Sequence, residues 1–318
     1  MSHIGELGEM RAFVRSIELG SFSAAARELK LTPSTLSKLV SRLEAAFGVA
    51  LVKRTTRQIM ATPEGDLFAT RCRRILAEME DAEMEVSRSR ERPRGKLRMH
   101  VGPGFGMLQL LPALPRFLER HPEVEVDLML EDRPVDLVRE SLDISITVPR
   151  PDHQHLVVRG IFEFERMTVA AASYARRHGL PRSPEEILAH HRCVRVSSSL
   201  ALPWRFETPA GIRTIDPRPY FVANNAAFAT RMVFDGAGIS QMMEFQVIEG
   251  LRDGRLVHVL PRFPCPDKRV MAAIYPHERN RLPRVKAMLD FLEETFSSRP
   301  WRVAAKATRR APSRGRRQ

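Results

Sequence analysis

The stretch over residues 21–48, SFSAAARELKLTPSTLSKLVSRLEAAFG, constrains this chain most tightly. It reads as two short helices joined by a tight turn. The first is expected over residues 23–29, capped by Ser23 and rich in the strong helix former Ala. A turn follows at Lys30 and Leu31. Thr32 stands where an N-cap belongs, and Pro33 takes the first helical position, where its missing N–H costs nothing. The second helix runs to Phe47 and stops at Gly48, a C-cap. Leu36, Val40, Leu43 and Phe47 are spaced 4, 3 and 4, which makes one buried stripe. The opposite face carries Ser34, Thr35, Ser37, Lys38, Ser41 and Arg42. Short hydroxyls beside two long cations suit phosphates and base edges. An ordinary helical hairpin with a solvated face has the same pattern, so the neighbouring sequence has to decide.

Upstream, Leu7, Met10, Phe13, Val14 and Ile17 fall on one face of a helix over residues 7–19, and Gly20 ends it. Downstream, Val49, Leu51, Ile59 and Ala61 can alternate as a two-stranded ribbon. The tip of that ribbon is Lys53-Arg54-Thr55-Thr56-Arg57, with no acid in it. A basic hairpin beside a helix-turn-helix is a winged helix, and the wing would track a phosphate backbone. The charge distribution agrees. Residues 1–62 carry nine Lys/Arg against five acids, and residues 99–298 carry 25 of each. Residues 299–318 carry eight Lys/Arg and no acid. The net charge of +13 therefore sits at the two ends, and the N-terminal excess fits a polyanion partner.

The segment from Ser21 to Gly65 resembles the N-terminal winged helix of LysR-type transcriptional regulators. The matching positions are Gly20-Ser21-Phe22, Ala25-Ala26, Leu29, Ser37, Arg42-Leu43-Glu44, Gly48, Leu51, Arg54-Thr55, Thr62 and Gly65. Two positions depart from the family pattern. Pro33 stands where a Gln is usual at the start of the recognition helix, so base reading falls more heavily on Ser34, Thr35, Lys38 and Arg42. Val52 stands where an aromatic is usual. The resemblance makes Ser34, Thr35, Ser37, Lys38, Ser41, Arg42, Lys53, Arg54, Thr55 and Arg57 the expected contacts to double-stranded DNA.

Pro63 opens a long polar helix, expected to reach about Arg90. Phe68, Cys72, Ile75, Met79, Ala82 and Val86 are spaced 4, 3, 4, 3 and 4, the seam of a coiled coil. A single helix lying on its own domain would show a similar stripe. The resemblance favours self-association, because this is the family's dimerisation helix. A homodimer or homotetramer would then present paired winged helices to two half-sites. The run SRSRERPRGK over residues 87–96 breaks helix and apolar pattern together and marks a boundary.

Beyond it, strands are expected at residues 97–101, 124–130 and 142–148. Between them lie GPGFG with an apolar helix kinked at Pro112 and Pro115, and a short helix over residues 133–141. Strand and helix alternating in this way argue for an α/β domain with a largely parallel sheet. The second half repeats the pattern, and a closing helix over residues 283–296 returns the chain to the first lobe. Ligands of such sheets bind past the carboxyl ends of the strands. This half also resembles the family, whose effector domain is similar to a type II periplasmic binding protein. The matching pieces include Leu111-Pro112, His121-Pro122-Glu123-Val124, Leu142-Asp143-Ile144, Asn224, Gly236-Ala237-Gly238-Ile239 and Gly254-Arg255-Leu256. The resemblance implies a small effector, often an organic or aromatic acid, bound between the lobes. Carried over position by position, its contacts are Gly104, Phe105, Thr147, Ser198, Asn224 and Met242. The family often has Ser or Thr near Pro103-Gly104-Phe105. The first lobe here offers fewer hydroxyls, which points to a less polar ligand or one held by backbone N–H groups.

The expected fold is thus an all-α winged helix-turn-helix with a long linker helix, followed by a two-lobed α/β effector domain. The expected boundaries are 1–62 for the winged helix, 63–90 for the linker helix and 91–96 for a hinge. The effector domain is expected over 97–298, and a basic disordered tail over 299–318. A ligand-independent DNA-binding or architectural protein with a vestigial cleft is the alternative. GPGFG does not match G-x-G-x-x-G and lacks a following Lys-Ser/Thr, so no nucleotide site is expected. Adjacent His190 and His191 rarely bind one ion, so no metal or cofactor is expected. There is no nucleophile elbow and no HExxH, which argues against an enzyme. Three widely spaced cysteines, no secretion signal at MSHIGELGEM and no long apolar run lead us to expect reduced thiols in a cytoplasmic protein, away from the membrane.

Overall fold

The computed structural model describes residues 7–54, 58–86, 92–197 and 203–302. Two compact units part at Arg92–Pro93, with Val138–Ser141 grouped with the first.

The first unit begins with α1 (Leu7–Glu18), α2 (Phe22–Glu28) and α3 (Pro33–Phe47). The cap of α2 is Ser21, one turn edge earlier than the expected Ser23. Ser21 is extended, and its side chain accepts from the Ala24 N–H, which places Phe22 first in the helix. Lys30 makes the turn in the left-handed region at φ 55°. In α3, Thr32 accepts from Thr35 N–H, Pro33 opens the helix, and Gly48 closes it at φ 68°. Leu36, Val40 and Leu43 are fully buried, each worth about 1.5–3 kcal/mol of apolar burial. Phe47, expected in the same stripe, is 39% exposed and packs edge-on with Phe68, at 4.7 Å between ring centroids.

Strands β1 (Val52–Arg54) and β2 (Ile59–Ala61) pair antiparallel and form the wing. Val49 lies outside the ribbon and is exposed, and Leu51 is buried just before it. The wing is tied to α3 by Glu44, whose carboxylate accepts from Leu51 N–H at 2.9 Å and Val52 N–H at 3.1 Å. Helix α4 (Pro63–Val86) starts against the same place. Thr62 donates to the Ala50 carbonyl and accepts from Gly65 N–H. A Cβ on Gly65 would lie 2.0 Å from the Leu51 carbonyl oxygen, so the close approach requires glycine there.

In the second unit, β3 (Gly95–Val101) leads into α5 (Pro103–Phe105). A wide π turn at Gly106–Leu110 and then α6 (Leu111–Arg120) follow without a break. The irregularity precedes Pro112, whose ring nitrogen cannot donate to Leu108, so the expected kink becomes a widened turn. Next come β4 (Val124–Leu130) and β5 (Ile144–Thr147). The helix expected over residues 133–141 does not form. Pro134 disfavours helical backbone at Arg133, and the segment ends in turns with Ser141 at φ 54°.

The chain then crosses between lobes through β6 (Val157–Phe164) and β7 (Arg166–Ala171). The second lobe adds α7 (Ala172–His178), α8 (Pro184–His190) and β8 (Cys193–Val196). The hairpin of β9 (Trp204–Thr208) and β10 (Gly211–Ile215), unforeseen from the sequence, comes next. It is followed by β11 (Pro219–Ala223), α9 (Ala226–Phe234), β12 (Ile239–Met243) and α10 (Glu244–Arg252). β13 (Leu256–His258) leads back to β14 (Arg269–Tyr275) and α11 (Pro283–Phe296).

The first lobe's sheet has the order β4-β3-β5-β14-β6 and the second β11-β8-β12-β7-β13. Neither is largely parallel. β14 runs antiparallel to β5 and β6, and β7 antiparallel to β12 and β13. The strands that cross between lobes enter each sheet in reverse, which makes both mixed. The C-terminal boundary also moves. Residues 299–302 are not part of a free tail, because Trp301 is 3% exposed in the first lobe's core. Arg302 pairs with the buried Glu244 carboxylate at 2.6 Å. Residues 303–318 lie outside the described residues.

Candidate DNA-reading face and interlobe cleft

The stripe that buries Leu36, Val40 and Leu43 turns the other side of α3 to the surface. Ser34, Thr35, Lys38, Ser41 and Arg42 are exposed there, and Ser37 is half-buried at the margin. The hydroxyls at the helix start form one cluster. Thr32 Oγ1 lies 3.0 Å from Ser34 Oγ and 2.8 Å from Thr35 Oγ1. These groups are held in place by partners on their own helix while remaining open to solvent. Arg42 is 69% exposed and reaches the buried Glu9 carboxylate only at 3.9 Å, the far limit of an ion pair, so most of its guanidinium stays open to solvent. Lys53 is exposed on the wing. The side chain of Arg54, and Thr55 and Arg57 altogether, lie outside the described residues.

The linker stripe divides along its length. Phe68 and Cys72 join Ala69 and Leu76 in the first unit's own core, with Cys72 fully buried. Burial pushes the Cys72 thiol up to about 12. Further along, Ile75 and Met79 are 42% and 40% exposed, and Ala82 is exposed. The first half of the stripe thus fastens the helix to its domain, and the second half is uncovered. The side chain of Val86 lies outside the described residues.

In the second unit the six expected effector contacts separate. Phe105 is 2% exposed and packs on Phe162, Phe245 and Phe296 at 5.1–5.6 Å between centroids. It belongs to the first lobe's aromatic core. Met242 is 5% exposed in the second lobe's core. Both follow a strand's carboxyl end in sequence or lie near one, but their side chains turn inward. Thr147 ends β5, Asn224 follows β11 and Gly104 lies in α5 just past β3; Asn224 is exposed, and Gly104 and Thr147 are buried. Ser198 lies outside the described residues.

The lobes meet at Gly104, which the sequence pointed to, and at Gln246 and Asp132, which it did not. A Cβ on Gly104 would lie 2.4 Å from Gln246 Nε2 and 3.5 Å from the Ala226 Cβ. Gln246 is buried, accepts from Met243 N–H at 3.1 Å and donates to Thr230 at 3.2 Å. Asp132, just past β4, accepts from the Ala226 N–H at the start of α9. Burial raises the Asp132 carboxyl above the ordinary carboxylate value, and the Ala226 N–H partly offsets this. The visible signal was slight: Asn225 before an apolar run announced the cap of α9, but nothing local tied Asp132 to it.

Within the run His190-His191-x-Cys193, the structure gives His191 and Cys193 other surroundings. His191 Nδ1 lies 3.3 Å from the Tyr174 hydroxyl, and Cys193 is fully buried. Among the described residues no helix is long and apolar enough to cross a membrane.

Residues 7–66 match the model of the bacterial regulatory helix-turn-helix protein, lysR family. Residues 90–297 match the LysR substrate binding domain. The HTH-type transcriptional regulator PtxR of Pseudomonas aeruginosa is 32% identical over 310 residues, covering 96% of this chain and 97% of PtxR. The HTH-type transcriptional regulator CrgA of Neisseria meningitidis is 31% identical over 290 residues, covering 91% of this chain and 97% of CrgA. The solved structure of CrgA superposes with a TM-score of 0.61, covering 90% of this chain and 97% of that one. Full-length CbnR, solved with its target DNA, is 17% identical and shares the fold with a TM-score of 0.57, over 91% and 99% of the two chains. A helix-turn-helix domain followed by a substrate-binding domain is the order that the two family models give along this chain. The chain belongs to the LysR-type transcriptional regulators, DNA-binding proteins whose second domain takes a small-molecule effector.

Proposed function

We propose that Ser34, Thr35, Lys38, Ser41 and Arg42 read base edges, with Ser37 at the margin of the contact. Lys53, Arg54, Thr55 and Arg57 hold the phosphate backbone through the wing. The observation that carries this is the outer face of α3, where the hydroxyl cluster and two cations are exposed beside the ribbon. Pro33 brings no side-chain donor, so the reading surface is narrower than in relatives with Gln there. Ile75, Met79, Ala82 and Val86 form the dimer seam, and Phe68 and Cys72 anchor the helix behind it. The dimer, or a tetramer of two dimers, faces two half-sites. CbnR, of the same fold, supports the DNA reading through its complex with target DNA.

The effector sits between the lobes near Gly104, Thr147, Ser198 and Asn224. Its binding shifts the population of lobe arrangements, and the linker helix passes that shift to the winged helices. The protein works in the cytoplasm and performs no catalysis. The ligand-independent reading draws on Phe105 and Met242, whose place in the cores leaves the cleft fewer contacts. Selection of bound sequences from a random DNA pool, repeated at two salt concentrations, tests the DNA reading. A motif with two half-sites is expected, and recovery of no motif defeats it. Calorimetry against a panel of small acids separates the two views of the cleft.

A further inference from the structure

Helix α9 begins with three N–H groups that no helical carbonyl can satisfy. Asn225 takes two of them, accepting from Ala227 at 2.9 Å and Phe228 at 3.2 Å. The third, on Ala226, donates at 2.5 Å to Asp132, which belongs to the other lobe. A carboxylate there also meets the positive end of the helix dipole. The segment that carries Asp132 is itself held, because the buried His100 donates from Nε2 to the Glu131 carbonyl at 2.9 Å. Beside this contact, Gly104 lets the first lobe approach Gln246 more closely than any side chain would allow. Gln109 adds a second bond across, from its Nε2 to the Phe245 carbonyl at 2.9 Å.

We propose that Asp132 is a clasp between the two lobes, with Gly104 and Gln246 as the close-packed seat that lets it shut. The chain's own carboxylate on α9 then joins the lobes at this edge, beside the Gln109 bond and the Phe245 ring seated in the first lobe's core. An effector entering between them has to part Asp132 from Ala226, and the strength of the clasp sets how much binding energy that takes. This last step rests on the effector reading given above. The clasp itself does not.

Hydrogen–deuterium exchange on the full-length protein tests it. In Asp132→Ala the Ala226 amide is expected to exchange at least tenfold faster, and Ala227 and Phe228, capped by Asn225, much less. Exchange is also expected to rise across Gly104–Gln109 on the opposite lobe, which a merely local cap would not affect. Asp132→Asn keeps an acceptor oxygen without the charge and should fall between the two, and it serves equally if the alanine variant does not fold. Unchanged exchange at Ala226 overturns the proposal. So does a rise at Ala226 with none over Gly104–Gln109, which would make Asp132 a cap and not a clasp. Either result is independent of whether any small acid binds, so failure of the clasp and failure of the effector reading are told apart.

Discussion

Gly65 and Gly104 are both closely packed, but against different neighbours. The Cβ of an alanine at Gly65 would lie 2.0 Å from a backbone carbonyl, Leu51 O, at the base of the wing. At Gly104 it would lie 2.4 Å from Gln246 Nε2, the far end of a side chain that can rotate away. One contact is fixed and the other adjustable. The winged helix uses its fixed contact to set the angle between wing and α4, together with Glu44 and Thr62 on the same few backbone groups. The effector domain places its adjustable contact between lobes, where the population shift proposed above calls for two arrangements of similar energy. A reading head benefits from rigidity, and a sensing domain from a contact that can be lost at small cost.

Substitutions can break or sharpen this contrast. The largest effect is expected for Gly65→Ala, which should destabilise the winged helix by about 3 kcal/mol or more, since backbone and not side chain must move. Urea denaturation followed by a winged-helix probe measures it, and a loss below about 1 kcal/mol would remove the distinction between the two glycines. Next, Lys38→Ala with Arg42→Ala should weaken operator binding by about 2–4 kcal/mol and relax its sequence preference, with the salt slope little changed and the dimer intact. Sedimentation alongside a binding titration checks both parts, and dimer loss would contradict the separation of roles. Thr32→Ala removes the cap of α3 and the partner of Ser34 and Thr35, for about 1 kcal/mol of stability. Gly104→Ala should cost less, about 0.5–1 kcal/mol, because Gln246 gives up its bond to Thr230 and swings aside.

The smallest change concerns thiols. Cys72 and Cys193 are both pushed up to about 12 by burial. A raised thiol pKa keeps the unreactive neutral form, so at pH 8 roughly one in 10⁴ is thiolate and neither should be alkylated in the folded protein. Gly65→Ala should expose Cys72 to slow iodoacetamide labelling and leave Cys193 unlabelled, as followed by mass spectrometry. Labelling of both would mean that the strain is not confined to one unit.

Much of the reading head was legible in the sequence. Thr32, Pro33 and Gly48 act on backbone groups within a few residues, so their roles depend on local sequence alone. The stripe of α3 was legible for the same reason, and weakened at Phe47, in the last turn of the helix, where the ring packs on Phe68 and stays 39% exposed. The linker seam was legible as a stripe, but its period could not say which half the domain covers. In the effector domain, spacing placed the strands, while the family resemblance, carried over position by position, named Phe105 and Met242, whose side chains lie in the cores. A position near the cleft does not decide whether a side chain points into it or into the core behind. The tail shows the same limit: Arg-Pro-Trp-Arg reads as the start of a basic run, and Trp301 instead finds an aromatic cluster formed by distant strands.

By itself, the sequence determined what depends on near neighbours. That covers the capped helices, the ribbon with its basic tip, the alternation of strand and helix, and the family pattern carried by Gly65 and Thr62. Tertiary structure decided what depends on distant pairs. It reversed β14 and β7 within their sheets, drew Trp301 inside, and set Asp132 on Ala226 across 94 residues of chain. Such pairs leave no periodic trace, because each partner looks like an ordinary surface residue until the fold brings the other to it.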